Sequence, residues 1–310
     1  MKNAYRKDIW RSILRGKKRF CSILLISALG VTMLTGIKAA CSDLRYSADA
    51  FFDAQKLYDV CVVSTLGLTQ EDVAALSELD GVETIEGSYS ETVYTQAAGR
   101  QQSAQVQALS QNGLNKPYLL EGVLPQNADE IAVTEKYIRD TGKSIGDTLL
   151  LEEQEKEKPA GEPTANEDDE FNVDLDEEEE TPALANTSFT ITAVVINPMD
   201  MNTGEGSNAF RSSASTDYVF FVSPKAVQTD IYTAIYLTLS GADELACYSE
   251  DYKTIVAQTV ESIETSIKDS REQARYDAVT GEAYGKVTDA EQEMEEQFAE
   301  ADAEFADAQQ

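Results

Sequence analysis

The longest apolar run is residues 20–37, 18 positions without a charge. As a helix it reaches about 27 Å, close to the ~30 Å hydrocarbon core of a bilayer, and it predicts one transmembrane helix over residues 20–41. Ahead of it Ile9, Trp10, Ile13 and Leu14 recur at helical spacing among Arg6, Arg11, Arg15 and Lys18. That pattern predicts an amphipathic helix over residues 1–19 lying on a membrane surface. Residues 48–56 read as a short helical approach, and residues 58–65, rich in β-branched side chains, as a strand. Thr69, with Asp72 three residues on and then Val73, Leu76 and Leu79, has the signature of a capped helix. The Asp80-Gly81 turn leads into one or two strands over 82–95, followed by an alternating strand at 103–109 and a loop at 112–117.

A second block repeats the alternation of elements. Residues 130–133 predict a strand, 134–141 a helix, 142–147 a turn and 148–151 a strand. Strands follow at 188–197, 217–222 and 232–240, with a Gly- and Ser-rich loop at 202–215. Tyr252, Ile255, Val256, Val260, Ile263 and Ile267 then form one helical apolar face. Val287, Ala290, Met294, Phe298 or Gln297, Ala301, Phe305 and Ala308 continue in steps of three and four, a heptad stripe that predicts the start of a coiled coil over 271–310. Such a stripe needs a second helix, so the chain reads as the N-terminal portion of something longer, with self-association as the alternative.

Charge orients these elements. Residues 1–20 hold eight of the 25 Lys and Arg and a single acid, Asp8, leaving 17 basic and 55 acidic side chains for the remainder. Basic residues collect on the cytoplasmic flank of a span, so the N-terminus is expected in the cytoplasm and everything after about Ala40 outside it. A cleaved signal peptide is the competing reading. Against it stand the length of the basic region, its own amphipathic face, and Lys38 where a small residue would precede cleavage at Ala40; Lys38 also makes Cys41 a poor lipid-attachment site. With a net charge of −31, nucleic acid is excluded as a partner, because its phosphates would be repelled.

Residues 152–182 change the composition again, to Glu, Asp, Pro, Ala and Lys, and predict an acidic disordered loop. Its acidic peak is 176–180, and residues 168–180 lack the Asp-x-Asp-x-Asp-Gly spacing and turn glycine of a calcium loop and read as a solvated charge run. No catalytic, cofactor-binding or metal-ligating constellation emerges. Histidine is absent, which removes the commonest general base and metal ligand. No Gly-x4-Gly-Lys-Ser/Thr pattern occurs, so nucleotide hydrolysis is not expected in this chain, and Gly204-Glu205-Gly206 reads as a turn. The four cysteines form no metal pattern. An extracytoplasmic Cys61–Cys247 disulfide is permitted, alongside the alternative of lone buried thiols.

The order of motifs resembles the FtsX-like permeases of ABC transporters with their MacB-like extracytoplasmic core domain, over most of residues 5–270. The segments that carry the resemblance are the basic Trp10-Arg11-Ser12-Ile13-Leu14-Arg15 approach to the span, Leu120-Glu121-Gly122-Val123-Leu124-Pro125, and Asp129-Glu130-Ile131-Ala132-Val133-Thr134. Ser144-Ile145-Gly146-Asp147-Thr148-Leu149 and Phe189-Thr190-Ile191-Thr192-Ala193-Val194-Val195 complete the series. Val123 departs from the basic residue often found at that turn, the 152–182 stretch is an insertion, and the further spans of the family are not in this sequence.

The resemblance implies an α+β class. A discontinuous α+β unit formed by 57–97 with 231–270 would carry an inserted β-rich lobe, 98–230, the whole domain covering 42–270. It also implies a permease dimer in the bacterial cell membrane, a separate cytoplasmic ABC ATPase as the hydrolysing subunit, membrane lipid around the spans and an extracytoplasmic partner protein or cargo. The expected coupling surface toward the ATPase is Trp10, Ile13 and Leu14 with Arg11 and Arg15. A self-contained single-span interaction protein of the cell envelope is the rival reading.

Overall fold

The computed structural model describes residues 2–97, 99–153, 183–199 and 216–308, in two units that divide between Asp53 and Ala54. The first unit holds α1 (Lys2–Arg15) and most of α2 (Lys17–Ala54), separated by a turn at Gly16. Among the described residues α2 is the one helix long and apolar enough to cross a membrane, by length and composition. Thr32 and Thr35 sit in its apolar stretch because their hydroxyls donate back to the Ala28 and Val31 carbonyls, at 2.7 and 2.8 Å. The expected separate approach helix at 48–56 is not a separate element. Residues 38–47 contain no Gly or Pro, so the helix runs through them for 38 residues, about 57 Å.

In chain order the second unit begins with β1 (Val60–Leu68), α3 (Gln70–Ser77), β2 (Val82–Ser88), β3 (Ser90–Ala97), β4 (Arg100–Ala108) and β5 (Tyr118–Gly122). It continues with β6 (Glu130–Thr134), α4 (Glu135–Thr141), β7 (Thr148–Leu150), β8 (Glu152–Glu153), β9 (Ser188–Ile196) and β10 (Tyr218–Val222). It closes with β11 (Tyr232–Leu239), α5 (Glu250–Ser266) and α6 (Lys268–Ala308). Two sheets result, a small one ordered β1-β11-β2 and a larger one ordered β5-β9-β6-β10-β4-β3-β8, with β7 also on β9.

In the small sheet β11 lies antiparallel between β1 and β2. A strand from late in the chain thus completes a unit begun by β1, α3 and β2. Val73 and Leu76 of α3 and the Tyr252, Ile255, Val256, Val260, Ile263 face of α5 pack on Val60, Leu68, Ile235, Leu237 and Leu239. The periodicity that predicted α5 is therefore the face it buries. Ser249 starts that helix, its hydroxyl accepting from the Tyr252 amide at 3.1 Å.

The larger sheet closes on itself. Residues 148–150 pair antiparallel with β9, and the next step, Glu152–Glu153, pairs antiparallel with β3 at the far end. Leu151 bridges the two edges, donating its amide to the Thr187 carbonyl at 2.8 Å. Every residue of β10, Tyr-Val-Phe-Phe-Val, is buried. This central strand faces two cores: Tyr218, Phe220 and Val222 point to the one enclosed with Ile131, Val133, Tyr137, Phe189 and Ile191, while Val219 and Phe221 meet Ala132, Ala193 and Val195.

One irregularity re-aims β9. Ile191 pairs with Ile131, yet the next pair is Ala193 with Ala132, so Thr192 is an extra residue that switches which core the strand feeds. Gly122 abuts this bulge. Its φ is +84°, and a Cβ there would fall 2.1 Å from the Thr192 carbonyl oxygen. The next amide, Val123, donates to that same oxygen at 3.0 Å. Gly142 ends α4 in the left-handed region (φ +71°), its amide donating to the Ile138 carbonyl at 2.8 Å, where a turn was expected.

Three differences from the sequence reading stand out. Of the one or two strands expected over 82–95 there are two, and the second, β3, pairs along its whole length with β4 in the larger sheet, although the boundary was drawn at 97. The strand β5 was not expected at all, and its five residues are exposed. Glu152 and Glu153, read as the start of the acidic loop, form β8; residues 154–182 and the Gly- and Ser-rich 202–215 lie outside the described residues.

Candidate functional site

Two places gather side chains that a core alone would not require. One lies where α6 meets the edge of the small sheet. There α5 ends at Ile267, whose backbone (φ −115°, ψ −44°) interrupts the helix before α6 starts. One turn into α6, Arg271 donates from Nε to Asp72 Oδ1 at 2.6 Å and from Nη2 to Glu71 Oε2 at 3.0 Å. Asp72 is 4% exposed and holds its own helix start, since its other oxygen accepts from the Thr69 amide and hydroxyl at 2.7 and 3.0 Å. The capping acid visible in the sequence is therefore also the receptor for the arginine. That bond pushes the Arg271 guanidinium up from its ordinary value, so it stays charged.

Arg275, one turn further, donates from Nε and Nη2 to the Leu66 carbonyl at 3.1 and 2.9 Å. The Leu66 amide turns to the Ser64 hydroxyl at 3.3 Å, so both backbone groups of Leu66 are satisfied at the edge of β1, where pairing with another chain would start. Between β1, α3, α5 and α6 lies a groove of about 920 Å³, lined in part by Cys61, Val63, Leu66, Ile263 and Tyr276. Cys61 faces open space, but the surrounding protein still excludes enough water to push its thiol up to about 11. At neutral pH it is a thiol beside the Tyr58 and Tyr236 rings, whose centroids are 4.7 Å apart, and not an activated nucleophile. The same desolvation pushes both phenols up. Cys61 and Cys247 are separate thiols, and neither is buried as the lone-thiol reading expected.

The other place is the crossing between the sheets. Ser90 donates its amide to Thr233 Oγ1 at 2.8 Å, and that hydroxyl donates to the Ser88 carbonyl at 3.2 Å, pinning the outgoing and returning strands together. Beside this pin, Glu86 of β2 accepts from the Ser110 hydroxyl and from the Gln111 and Asn112 amides, the latter two at 2.6 and 3.2 Å. Sequence reading passed over Glu86, Asp72's second role, Arg271 and Arg275. Nothing local marks them, since each partner lies at least 24 residues away.

The expected coupling residues lie in the first unit. Trp10, Arg11 and Arg15 are exposed on α1, Trp10 at 66%; Ile13 and Leu14 occupy the same helix, with side chains outside the described residues.

A split α+β sheet carrying a closed β-sheet between its halves, preceded by a long apolar helix, is the class of architecture these elements define. No family model matches the chain, and no curated protein matches it. Among solved structures it is similar to the extracellular domain of the noncanonic ABC-type transporter YknZ from Gram-positive bacteria, with 10% identity, a TM-score of 0.34, and 64% of this chain and 87% of that one covered. It is also similar to the periplasmic region of MacB from Actinobacillus actinomycetemcomitans, with 10% identity, a TM-score of 0.33, and 65% and 75% covered.

Proposed function

We propose that this chain is part of an ABC transporter permease in a bacterial cell membrane, and that it couples a separate cytoplasmic ATPase to movement of an extracytoplasmic domain. The chain itself catalyses nothing in this reading; it transmits force. One observation carries the proposal. The apolar helix α2 leads within six residues into β1, and a second long helix, α6, grips the same strand through Arg275 and Leu66. A strand joined by a short connection to one long helix and gripped by another is suited to converting helix displacement into a shape change of the sheet behind it. The motif order and the basic N-terminal flank supply the orientation, with residues 1–19 inside and the two-sheet unit outside. A dimer would supply a second helix for the exposed Val287 and Met294 positions of the α6 heptad stripe.

The inner contact is assigned to Trp10, Ile13 and Leu14 with Arg11 and Arg15. Replacing both Trp10 and Leu14 by Ala is expected to cut ATPase capture by roughly tenfold or more, the scale of two lost interface anchors, while leaving the urea midpoint of the two-sheet unit unchanged. Unaltered capture with unaltered nucleotide-dependent response would remove these residues from the coupling surface.

A further inference from the structure

The loop between β4 and β5 is anchored in the larger sheet at both ends and also bonds to segments outside its own two strands. At its start Ala108 and Leu109 donate to the Tyr89 and Val222 carbonyls, both at 2.9 Å. Ser110 then donates to Glu86 and accepts from the Leu114 amide at 2.8 Å, folding the loop over Leu114, which is 2% exposed. The Gln111 and Asn112 amides complete the grip on Glu86, and through it on the small sheet.

The far side of the loop holds the chain that leaves α2. The Asn115 and Lys116 amides donate to the Lys56 and Gln55 carbonyls at 2.9 and 3.0 Å. In return the Tyr58 amide donates to Asn115 Oδ1 at 2.9 Å. Asn115 is 8% exposed and has φ +50°, and Lys56 has φ +47°. Both left-handed residues are held where three hydrogen bonds cross between segments 57 or more residues apart. Asn is among the few side chains that adopt this backbone region readily, and here the same side chain supplies the acceptor.

We propose that residues 110–116 form a mechanical tie, in which Asn115 hooks the segment leaving α2 and Glu86 fixes the loop to the small sheet, so that a displacement of residues 55–58 is delivered to the closed larger sheet. The proposal rests on the coupling function above for its purpose, but not for its existence. Without the tie, residues 55–59 would steer β1 alone, and the larger sheet would follow only through the two strands that cross beside Thr233.

The test separates the hook from the backbone it sits on. Asn115→Gly keeps the left-handed conformation and removes the acceptor; Asn115→Asp keeps both. Hydrogen exchange on the full chain in detergent is expected to show the Tyr58 amide exchanging roughly fivefold faster in Asn115→Gly, the scale of one lost hydrogen bond, with the Phe220 amide unchanged and Asn115→Asp matching the parent. Equal acceleration at Tyr58 and Phe220, or no change at Tyr58, would overturn the tie. In the membrane complex with its ATPase, nucleotide should alter exchange in both 55–59 and 108–117 for the parent, and only in 55–59 for Asn115→Gly. A nucleotide response that still reaches 108–117 in Asn115→Gly would also overturn it. Absence of any ATPase would instead count against the permease reading, while the exchange result in detergent would still decide whether the tie exists.

Discussion

Phe220→Ala is expected to destabilise the two-sheet unit by about 3–5 kcal/mol, the cost of deleting a fully enclosed aromatic side chain. Phe220 is 0% exposed in the middle of β10, with β4 on one side and β6 on the other. The Tyr137 ring meets it edge-on at 4.9 Å, and the Tyr218 ring lies parallel to it at 6.2 Å. Those neighbours are themselves fixed, because Tyr137 comes from α4 and Tyr218 from the same strand. The space is enclosed by a sheet that closes around it, so collapse into the cavity would require strands to shift together. A domain stable by ~5–15 kcal/mol would lose a large share of its margin. Urea denaturation followed by tyrosine near-ultraviolet circular dichroism measures this, since Trp10, the only tryptophan, lies in α1 and does not report on the core. A loss below about 1 kcal/mol, the scale of a surface change, would mean that Phe220 does not line an enclosed core.

Gly122→Val is expected to cost about 3 kcal/mol or more, for two reasons that add. A β-branched residue at φ +84° is strained by about 1–3 kcal/mol wherever it stands. Its Cβ would also overlap the Thr192 carbonyl oxygen, 2.1 Å away, and that oxygen is committed to the Val123 amide. Relief requires β5 to leave β9 or the Thr192 bulge to straighten. Straightening would return Ala193 and Val195 to the wrong core, because strand side chains alternate faces. The same urea titration measures the effect, and Gly122→Ala should lie between the parent and Val. If Val were tolerated within about 0.5 kcal/mol, the bulge would not be a fixed element of the fold.

Most elements were legible because their periodicity coincides with what they bury. The α5 face, the uninterrupted apolar run of β10 and the Thr69–Asp72 helix start all formed where the pattern put them. Features that depend on distant partners were not legible. Glu152 and Glu153 look like the first residues of an acidic loop, and only the presence of β3 turns them into the strand that closes the sheet. Nothing in Tyr118–Gly122 alternates, since all five residues are exposed, so β5 gave no period to read. Residues 38–47 carry three charged side chains, Lys38, Asp43 and Arg45, and polar groups that suggested the end of a span, while their helix-forming backbone simply continued. Of the candidate residues, the α1 group proposed for coupling was marked in the sequence by its amphipathic spacing. Arg271, Arg275, Glu86 and Asn115 have no local signature, because each acts on a segment far away in the chain.

In the proposed coupling, force enters through α2 from a separate ATPase. Capturing the chain from its native membrane in lipid discs, and identifying what is recovered with it in stoichiometric amount, tests this most directly. The expected result is a subunit carrying Gly-x4-Gly-Lys-Ser/Thr, together with nucleotide-dependent change in exchange at residues 55–59. Recovery of the chain with no nucleotide-binding subunit would contradict the permease reading and leave a membrane-anchored interaction protein in its place.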